Sequence, residues 1–161
     1  NVGQAEWTPG PAPQPINVEL EQGGFRFSIL FCFESVFARL GRDAVRRGSQ
    51  CLVVITNDGW FGKSAGPRQH TWMARLKAVE CGVPVIRCAN NGISFISDAQ
   101  GNLLDQLELG RRGIVRGDLR PGTGRTMYVA YGAWPLFGFL TIWSVLAILV
   151  GRRPGPGGDE S

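Results

Sequence analysis

A cysteine and a glutamate two residues apart are the part of this sequence best suited to covalent chemistry. Cys32 ends an apolar stretch, residues 25–32, that is typical of a buried strand, and a helical pattern follows at once. A thiol at such a turn lies near the positive end of a helix dipole, which favours the reactive thiolate. Residues two apart in an extended segment point to the same side, so Glu34 is expected beside the thiol as a proton-handling or orienting carboxylate.

Both residues also have structural interpretations. Free cysteine is among the most often buried residue types, so without context Cys32 would more often be a core side chain. Glu34 in the first turn of a helix would complement the helix dipole without any other role. Two features favour chemistry: the strand ends at the cysteine, and a carboxylate is costly to bury without a partner.

Three further places carry candidate functional residues. Trp60 and Phe61 occupy a glycine-flanked loop after a strand, where ligands of α/β sheets bind, although two aromatics could also plug the core edge there. His70 would suit a cysteine–histidine hydrolase, but we expect an ordinary helix-surface or interface histidine. Residues 90–92, Asn-Asn-Gly, are interpreted as a tight turn with a backbone role only.

Alternating strand and helix patterns must position these residues. Helical periodicity covers residues 35–47, with Ser35 as N-cap, and Pro67 and Gly82 bracket a second helix. A β-branched apolar run at 52–56 is typical of a strand buried on both faces. Residues 17–24 predict a short edge strand ending in a turn at Gly23 and Gly24. Further strands are predicted at 84–88, 93–97, 103–109 and 114–119, with a hairpin-like turn at 98–102. This order predicts an α/β layered domain with a mixed sheet.

The C-terminal part of the chain has the pattern of a membrane span. No charged residue occurs between Arg125 and Arg152, and residues 134–150 are almost wholly apolar. About eighteen helical residues span roughly 27 Å, close to the hydrocarbon core of a bilayer. A buried core helix is the disfavoured alternative. Arg152 and Arg153 follow directly, which by the positive-inside rule places the C-terminus in the cytoplasm and the α/β domain on the opposite side.

Composition excludes several other classes of protein. The net charge is +4, but the basic residues are scattered and no nucleic-acid motif is present, so no nucleic-acid partner is expected. The four cysteines lack C-x-x-C spacing and there is one histidine, so neither a metal nor another cofactor is expected. Cys51 and Cys88 adjoin strand-like runs and are expected to be small buried side chains, while the disulfide state of the cysteines stays open.

These patterns divide the chain into four parts. Residues 1–16, with four prolines, are expected to be a linker, and residues 17–125 the α/β domain. Residues 126–150 are expected to be the transmembrane segment, and residues 151–161 a disordered cytoplasmic tail. The chain begins with Asn1 and shows no signal peptide, so we interpret it as a piece of a longer protein.

Four short motifs resemble those of a known family. They are Phe-Cys-Phe-Glu at 31–34, Thr-Asn-Asp-Gly-Trp-Phe-Gly-Lys-Ser at 56–64, Gly-Pro-Arg-Gln-His at 66–70 and Arg-Cys-Ala-Asn-Asn-Gly-Ile-Ser at 87–94. Together they resemble the carbon–nitrogen hydrolase (nitrilase) superfamily, and within it the apolipoprotein N-acyltransferases of bacterial inner membranes. The resemblance covers residues 7–150, including the terminal span.

The resemblance implies a fold and an activity. The fold would be part of a nitrilase-like α-β-β-α sandwich followed by one C-terminal transmembrane helix, with the domain in the periplasm and further spans in the full-length protein. An acyl chain would pass from a phospholipid to Cys32 as a thioester, and then to the N-terminal amine of an S-diacylglyceryl-cysteine in an apolipoprotein. Cys32 would be the nucleophile and Glu34 a supporting carboxylate. Trp60, with Phe61 beside it, would line the lipid's path.

The sequence departs from this family in one important respect. The family's triad is Glu–Lys–Cys with the first two members upstream, yet residues 1–31 contain no lysine, and the glutamates there lie in no matching motif. The chain alone is therefore expected to be inactive, and Lys63 and Lys77 are not assigned the missing role. Two alternatives remain: a nitrilase-type amidase acting on a small amide, and a non-catalytic domain that binds lipid or a partner protein.

Overall fold

The computed structural model describes residues 13–21 and 23–151, which fall into two compact units, Asn1–Ala130 and Tyr131–Ser161. Most of the predicted linker at 1–16 and nearly all of the predicted tail at 151–161 lie outside the described residues.

The first unit is built on one mixed sheet of six strands, ordered β1 to β6 as in the sequence. The strands are β1 Ile16–Leu20, β2 Gly23–Phe31, β3 Cys51–Asn57, β4 Val85–Asn90, β5 Ser94–Ser97 and β6 Leu103–Leu107. The three strands β2, β3 and β4 run parallel, and the other neighbours are antiparallel. The predicted mixed sheet is confirmed.

Two helices connect the parallel strands and cover one face of the sheet. They are α1, Ala38–Arg46, and α2, Gly66–Cys81. Parallel neighbours need such crossovers, because a tight turn cannot return the chain to the same end of the sheet. The shared core contains inward side chains of the strands and small residues of the helices: Leu30, Leu52, Val54, Val85, Ala44, Ala74, Ala78 and Cys81. Each buried Leu or Val contributes roughly 1.5–3 kcal/mol relative to its exposed state.

The opposite face of the sheet is apolar and open. Phe31 and Ile55, partners in β2 and β3, are 59% and 42% exposed, while Ile29 and its partner Val53 are half-buried. A contiguous apolar surface is typical of a layer that packs against another layer. The described chain thus supplies one helix layer and one sheet of the nitrilase-like sandwich.

The segment after Cys32 differs from the predicted helix. A 3-10 helix, Cys32–Val36, comes first, and α1 begins only at Ala38. Phe37 between them is extended, with φ −76° and ψ 111°, and it occupies the N-cap position of α1. The prediction of Ser35 as N-cap is therefore wrong, because its hydroxyl donates to the carbonyl of Cys32 instead.

Two strand boundaries also differ from the prediction, and hydrogen-bond partners explain both differences. β2 already begins at Gly23, which pairs with Leu20 of β1, so the predicted turn at Gly23 and Gly24 is wrong. The predicted strand at 114–119 does not form, because the amide of Arg116 donates to the side chain of Asp105 rather than to a neighbouring strand. α2 ends at Cys81, as predicted, and the following Gly82 caps it with a left-handed φ of 65°.

The second unit contains α4, Trp134–Gly151, and the short helix α3, Met127–Tyr131, bridges the boundary between the units in sequence. α4 has 18 residues and a mean hydropathy of 1.9, so it is long and apolar enough to cross a membrane. None of it is buried, which distinguishes it from the core helix of a soluble domain.

Candidate active site

Cys32 occupies a strained turn at the C-terminal end of a central parallel strand. β2 ends at Phe31, and Cys32 follows with φ +48°, in the left-handed region that non-glycine residues rarely adopt. This conformation costs roughly 1–2 kcal/mol in an L-residue. Sharp strand-to-helix turns of this kind raise a nucleophile above the edge of a sheet. The Cys32 side chain is half-buried, so the thiol remains accessible.

Glu34 fixes the approach to this turn. Its Oε2 accepts a hydrogen bond of 2.7 Å from the amide of Phe31, which closes the N-terminus of the 3-10 helix. The expectation of a shared side with Cys32 assumed an extended segment, whereas residues 32–36 form a 3-10 helix, so this argument for it no longer applies. The role of Glu34 as a supporting carboxylate stays a prediction, and the structure gives it a definite hydrogen-bond partner in the backbone.

A buried chain of charged groups lies behind the turn. Asp58 Oδ2 accepts a 2.6 Å bond from Arg87 Nη2, and Asp58 Oδ1 lies 3.0 Å from His70 Nδ1. The opposite ring nitrogen, Nε2, is 3.1 Å from the carbonyl oxygen of Cys32. The three side chains therefore link β4, the 3-10 helix Asp58–Phe61 and α2 to the backbone of Cys32.

Of the two expected positions for His70, the helix surface or an interface, the structure shows an interface between α2 and the 3-10 helix Cys32–Val36. His70 is only 3% exposed, because the first turn of α2 packs directly against the 3-10 helix of Cys32. The sequence failed to indicate Asp58 and Arg87. One signal was available for Arg87: it stands in an otherwise uncharged strand, where a buried guanidinium requires an acidic partner.

Burial has the largest effect on the pKa of Arg87 in this buried group. Burial lowers the pKa of the Arg87 guanidinium, while Asp58 and, more weakly, the Cys32 thiolate act in the opposite direction. The Nε of Arg87 donates to the carbonyl of Ile93, and its Nη1 is buried without a hydrogen-bond partner among the described residues.

The turn at 90–92 does more than reverse the backbone. Asn91 has φ +59°, as a tight turn requires, and Gly92 follows it. A Cβ atom at Gly92 would collide with the Asp58 carboxylate and with Ala89. The absent side chain therefore lets the turn close over Asp58, so the predicted turn is confirmed and has a second role.

The structure places the two predicted aromatics differently. The ring of Phe61 lies 5.8 Å from the ring of His70, and Phe33 lies 6.3 Å from it on the cysteine segment. Trp60 points its indole into solvent and is 83% exposed. Phe61 therefore packs at the candidate site, whereas Trp60 is free to contact a substrate or another layer of the protein.

The remaining cysteines are free thiols with different surroundings. Cys51 and Cys81 are buried, and burial raises the pKa of both thiols to about 12. The expectation of a buried Cys88 is wrong: Cys88 alternates with the inward-facing Arg87 along β4, so its thiol lies on the open side of the sheet and is exposed.

Neither lysine discussed above reaches the candidate site through a described contact. Lys77 is buried beside α1 and bonds Glu80 at 2.7 Å, and Lys63 is exposed. A general base for Cys32 is therefore not supplied by these two residues.

The strain at Cys32 leads to a stability prediction. In the full-length protein, Cys32→Gly is expected to unfold with a free energy about 1 kcal/mol higher than Cys32→Ala, because glycine adopts a positive φ without the Cβ clash. Both variants lack the thiol, so their difference isolates the backbone term. Denaturant unfolding measures it; equal stabilities would mean that the left-handed turn stores no strain.

Comparison with known proteins places this site in a family. The carbon–nitrogen hydrolase family model matches residues 6–128. The chain is 41% identical over 134 residues to an apolipoprotein N-acyltransferase of Geobacter metallireducens, covering 83% of this chain and 26% of the relative. It is 37% identical over 149 residues to the protein of the same name from Pseudomonas aeruginosa, covering 91% of this chain and 28% of the relative.

The fold also has solved counterparts. A carbon–nitrogen hydrolase from Helicobacter pylori superposes with a TM-score of 0.60 at 19% identity, covering 81% of this chain and 50% of that one. The chain thus spans half of the Helicobacter pylori protein and less than a third of the two apolipoprotein N-acyltransferases. With the family model matching most of its length and the fold agreeing, the chain belongs to the carbon–nitrogen hydrolase family.

Proposed function

We propose that this chain is the nucleophile-bearing part of an enzyme that acylates the N-terminus of apolipoproteins. The observation that carries the proposal is the strained turn at Cys32, which presents an accessible thiol at the C-terminal end of a parallel strand. The names of the relatives and the apolar helix α4 support a substrate held in a membrane. Acyl transfer through a thioester suits such a thiol.

The reaction has two steps. The Cys32 thiolate attacks a phospholipid ester carbonyl, the bond from carbonyl carbon to alkoxide oxygen breaks, and the alkoxide takes a proton to leave as lysophospholipid. The α-amino group of a diacylglyceryl-cysteine then attacks the thioester, and the thiolate leaves as the amide forms and the amine loses a proton. A thioester reacts with amines faster than an oxygen ester does, so one hard transfer becomes two easier ones.

Residues of this chain have distinct parts in that scheme. Cys32 forms the covalent bond, and Glu34 supports it by holding the amide of Phe31 at the entrance of the turn. Amide groups at the start of the 3-10 helix Cys32–Val36 are candidates to stabilise the oxyanion of each tetrahedral intermediate. The general base and the lysine implied by the family resemblance would come from outside this chain.

The aromatic residues would guide the acyl chain. Trp60, with its exposed indole, would contact the lipid as it approaches, and Phe61 would line the inner end of the path next to His70. Aromatic rings suit this task because they offer large apolar contact area.

The proposed location is a bacterial inner membrane. Residues 17–125 would form the periplasmic catalytic part and residues 126–150 the membrane segment, with the C-terminal tail from residue 151 in the cytoplasm beside Arg152 and Arg153. Further spans would precede this chain in the full-length protein. Holding the domain at the bilayer surface raises the local concentration of both lipid substrates.

The test is direct detection of the acyl-enzyme. The full-length protein is incubated with phospholipid vesicles, and the peptide containing Cys32 is examined by mass spectrometry for a long-chain adduct that hydroxylamine removes. A synthetic diacylglyceryl-peptide is then added, and its N-acylated product is measured. Cys88→Ser serves as the control and is expected to keep the adduct, since Cys88 is the other accessible thiol.

Two results would contradict the proposal. Release of ammonia from small amides without any lipid adduct would favour a nitrilase-type amidase. Lipid binding without an adduct at Cys32, in a full-length protein with acidic and lysine residues upstream, would favour a non-catalytic domain.

A further inference from the structure

The carbonyl of Cys32 is held by two side chains. Ser35 Oγ donates to it at 2.8 Å, and His70 Nε2 lies 3.1 Å from it. A carbonyl oxygen only accepts hydrogen bonds, so the contact with His70 requires a proton on Nε2. On the other side of the turn, Glu34 holds the amide of Phe31. The left-handed backbone conformation of Cys32 is therefore held by hydrogen bonds on both sides of the residue.

His70 is itself held rigidly. Its Nδ1 lies 3.0 Å from Asp58 Oδ1 and 3.3 Å from Arg87 Nη2, so this side of the ring is held between the two buried groups. Asp58 is fixed in turn by the Thr56 hydroxyl, which donates to Oδ1 at 3.2 Å, and by Arg87 on Oδ2. The imidazole thus has one orientation, determined by a carboxylate that is 2% exposed.

We propose that His70 is a positioning residue for Cys32: it donates from Nε2 to the carbonyl of Cys32 and thereby keeps the thiol in its strained, accessible turn. His70 is not the general base in this scheme, because Nε2 contacts the carbonyl of Cys32 and the hydroxyl of Ser35 rather than the Cys32 sulfur. The proposal rests on the function proposed above only for the identity of the acyl donor. A conformation that costs free energy persists only where its surroundings impose it, and here His70, Ser35 and Glu34 do so.

Two substitutions of His70 distinguish the roles of its two ring nitrogens. The amide nitrogen of glutamine reaches about as far from the backbone as Nε2 of histidine, and that of asparagine about as far as Nδ1. His70→Gln therefore keeps the donor to Cys32 and loses the contact with Asp58, while His70→Asn keeps the contact with Asp58 and loses the donor to Cys32. A role in stability alone would not favour glutamine over asparagine.

The experiment uses the full-length protein and two measurements. The first is the rate at which iodoacetamide labels Cys32 at fixed pH, followed by peptide mass spectrometry. Cys51 and Cys81 report unfolding, because they are buried and react only when the domain opens. The second is the kcat and KM of thioester formation from phospholipid vesicles.

His70→Asn is expected to lower both the labelling rate of Cys32 and the kcat by about 10- to 100-fold with KM unchanged, since small misplacements of a reacting group cost that much. His70→Gln is expected to stay within about threefold of the unsubstituted protein. Equal rates in the two variants, whether fast or slow, would overturn the proposal. If His70→Asn unfolds and exposes Cys51 and Cys81, His70→Gln decides: retained labelling upholds the proposal, and lost labelling or unfolding overturns it.

The two proposals fail separately. If the unsubstituted protein forms no thioester but the variants still differ in Cys32 labelling, the acyltransferase function is wrong and the positioning role stands. If thioester formation proceeds equally in both variants, the positioning role is wrong and the function stands.

Discussion

Cys32→Ser in the full-length protein is expected to reduce transfer of the acyl chain to the diacylglyceryl-peptide by at least about a thousandfold. A serine hydroxyl is far less ionised than a thiol near neutral pH, and an ester on serine is less reactive towards an amine than a thioester. Serine retains the Cβ and nearly the shape of cysteine, so the turn and the fold should be preserved. Initial rates of product formation, with circular dichroism as the check on folding, measure the effect.

The matched control for this prediction is Cys88→Ser. Cys88 lies in the neighbouring strand β4 and its thiol is exposed, so it shares accessibility with Cys32 but not the left-handed turn. Its loss is expected to leave the transfer rate within about twofold of the unsubstituted rate, as is usual for a side chain away from the chemistry. A Cys32→Ser protein that transfers acyl groups at a tenth of the natural rate or faster would show that the nucleophile lies elsewhere.

Asp58→Asn is expected to lower the free energy of unfolding of the catalytic domain by about 3–5 kcal/mol. The substitution preserves the shape of the side chain but removes the one negative charge that faces both Arg87 and His70. All three side chains are buried, so water cannot compensate the guanidinium left without a counter-charge. Urea unfolding of the full-length protein, followed by the reactivity of Cys51 and Cys81, measures the loss.

The same substitution at a surface ion pair is its control. Asp43 pairs with Arg39 at 3.2 Å across one turn of α1, and the arginine side chain is largely exposed. Asp43→Asn is expected to cost less than about 1 kcal/mol, because water and salt screen exposed pairs. Equal losses at positions 58 and 43 would mean that the buried chain has no special part in stability.

Features with a strong local signal were predictable from the sequence. Pro67 and Gly82 marked the two ends of α2. The β-branched run indicated β3, and the length of the apolar stretch indicated α4. Each of these depends on interactions among residues close in the chain, or on total apolar length, which a sequence displays directly.

The buried chain of charged groups depended on long-range contacts and was missed. Asp58 and Arg87 are 29 residues apart, and they meet because Asp58 directly follows β3 while Arg87 lies in the neighbouring strand β4. The pattern around Asp58 resembles an exposed turn, since Asn-Asp-Gly is common in turns. Only the tertiary structure reveals that the middle residue is directed inwards.

The break in the helix after Cys32 had a similar origin. Residues 35–47 are compatible with one continuous helix, and the sequence contains no proline or glycine at the point where α1 is separated from the 3-10 helix. The separation at Phe37 reflects the hydrogen bonds of Ser35 and His70 to the turn, which compete with helix continuation. Tertiary contacts therefore outweighed local preference at the candidate site.

The close approach of Gly92 to Asp58 has a consequence for how this family can change over time. A methyl group at position 92 would occupy the space of the Asp58 carboxylate. A residue larger than glycine at position 92 therefore requires a smaller, uncharged residue at position 58. Loss of that charge would in turn leave Arg87 without its partner. We therefore expect Asp58, Arg87 and Gly92 to be retained together or replaced together among descendants of this sequence.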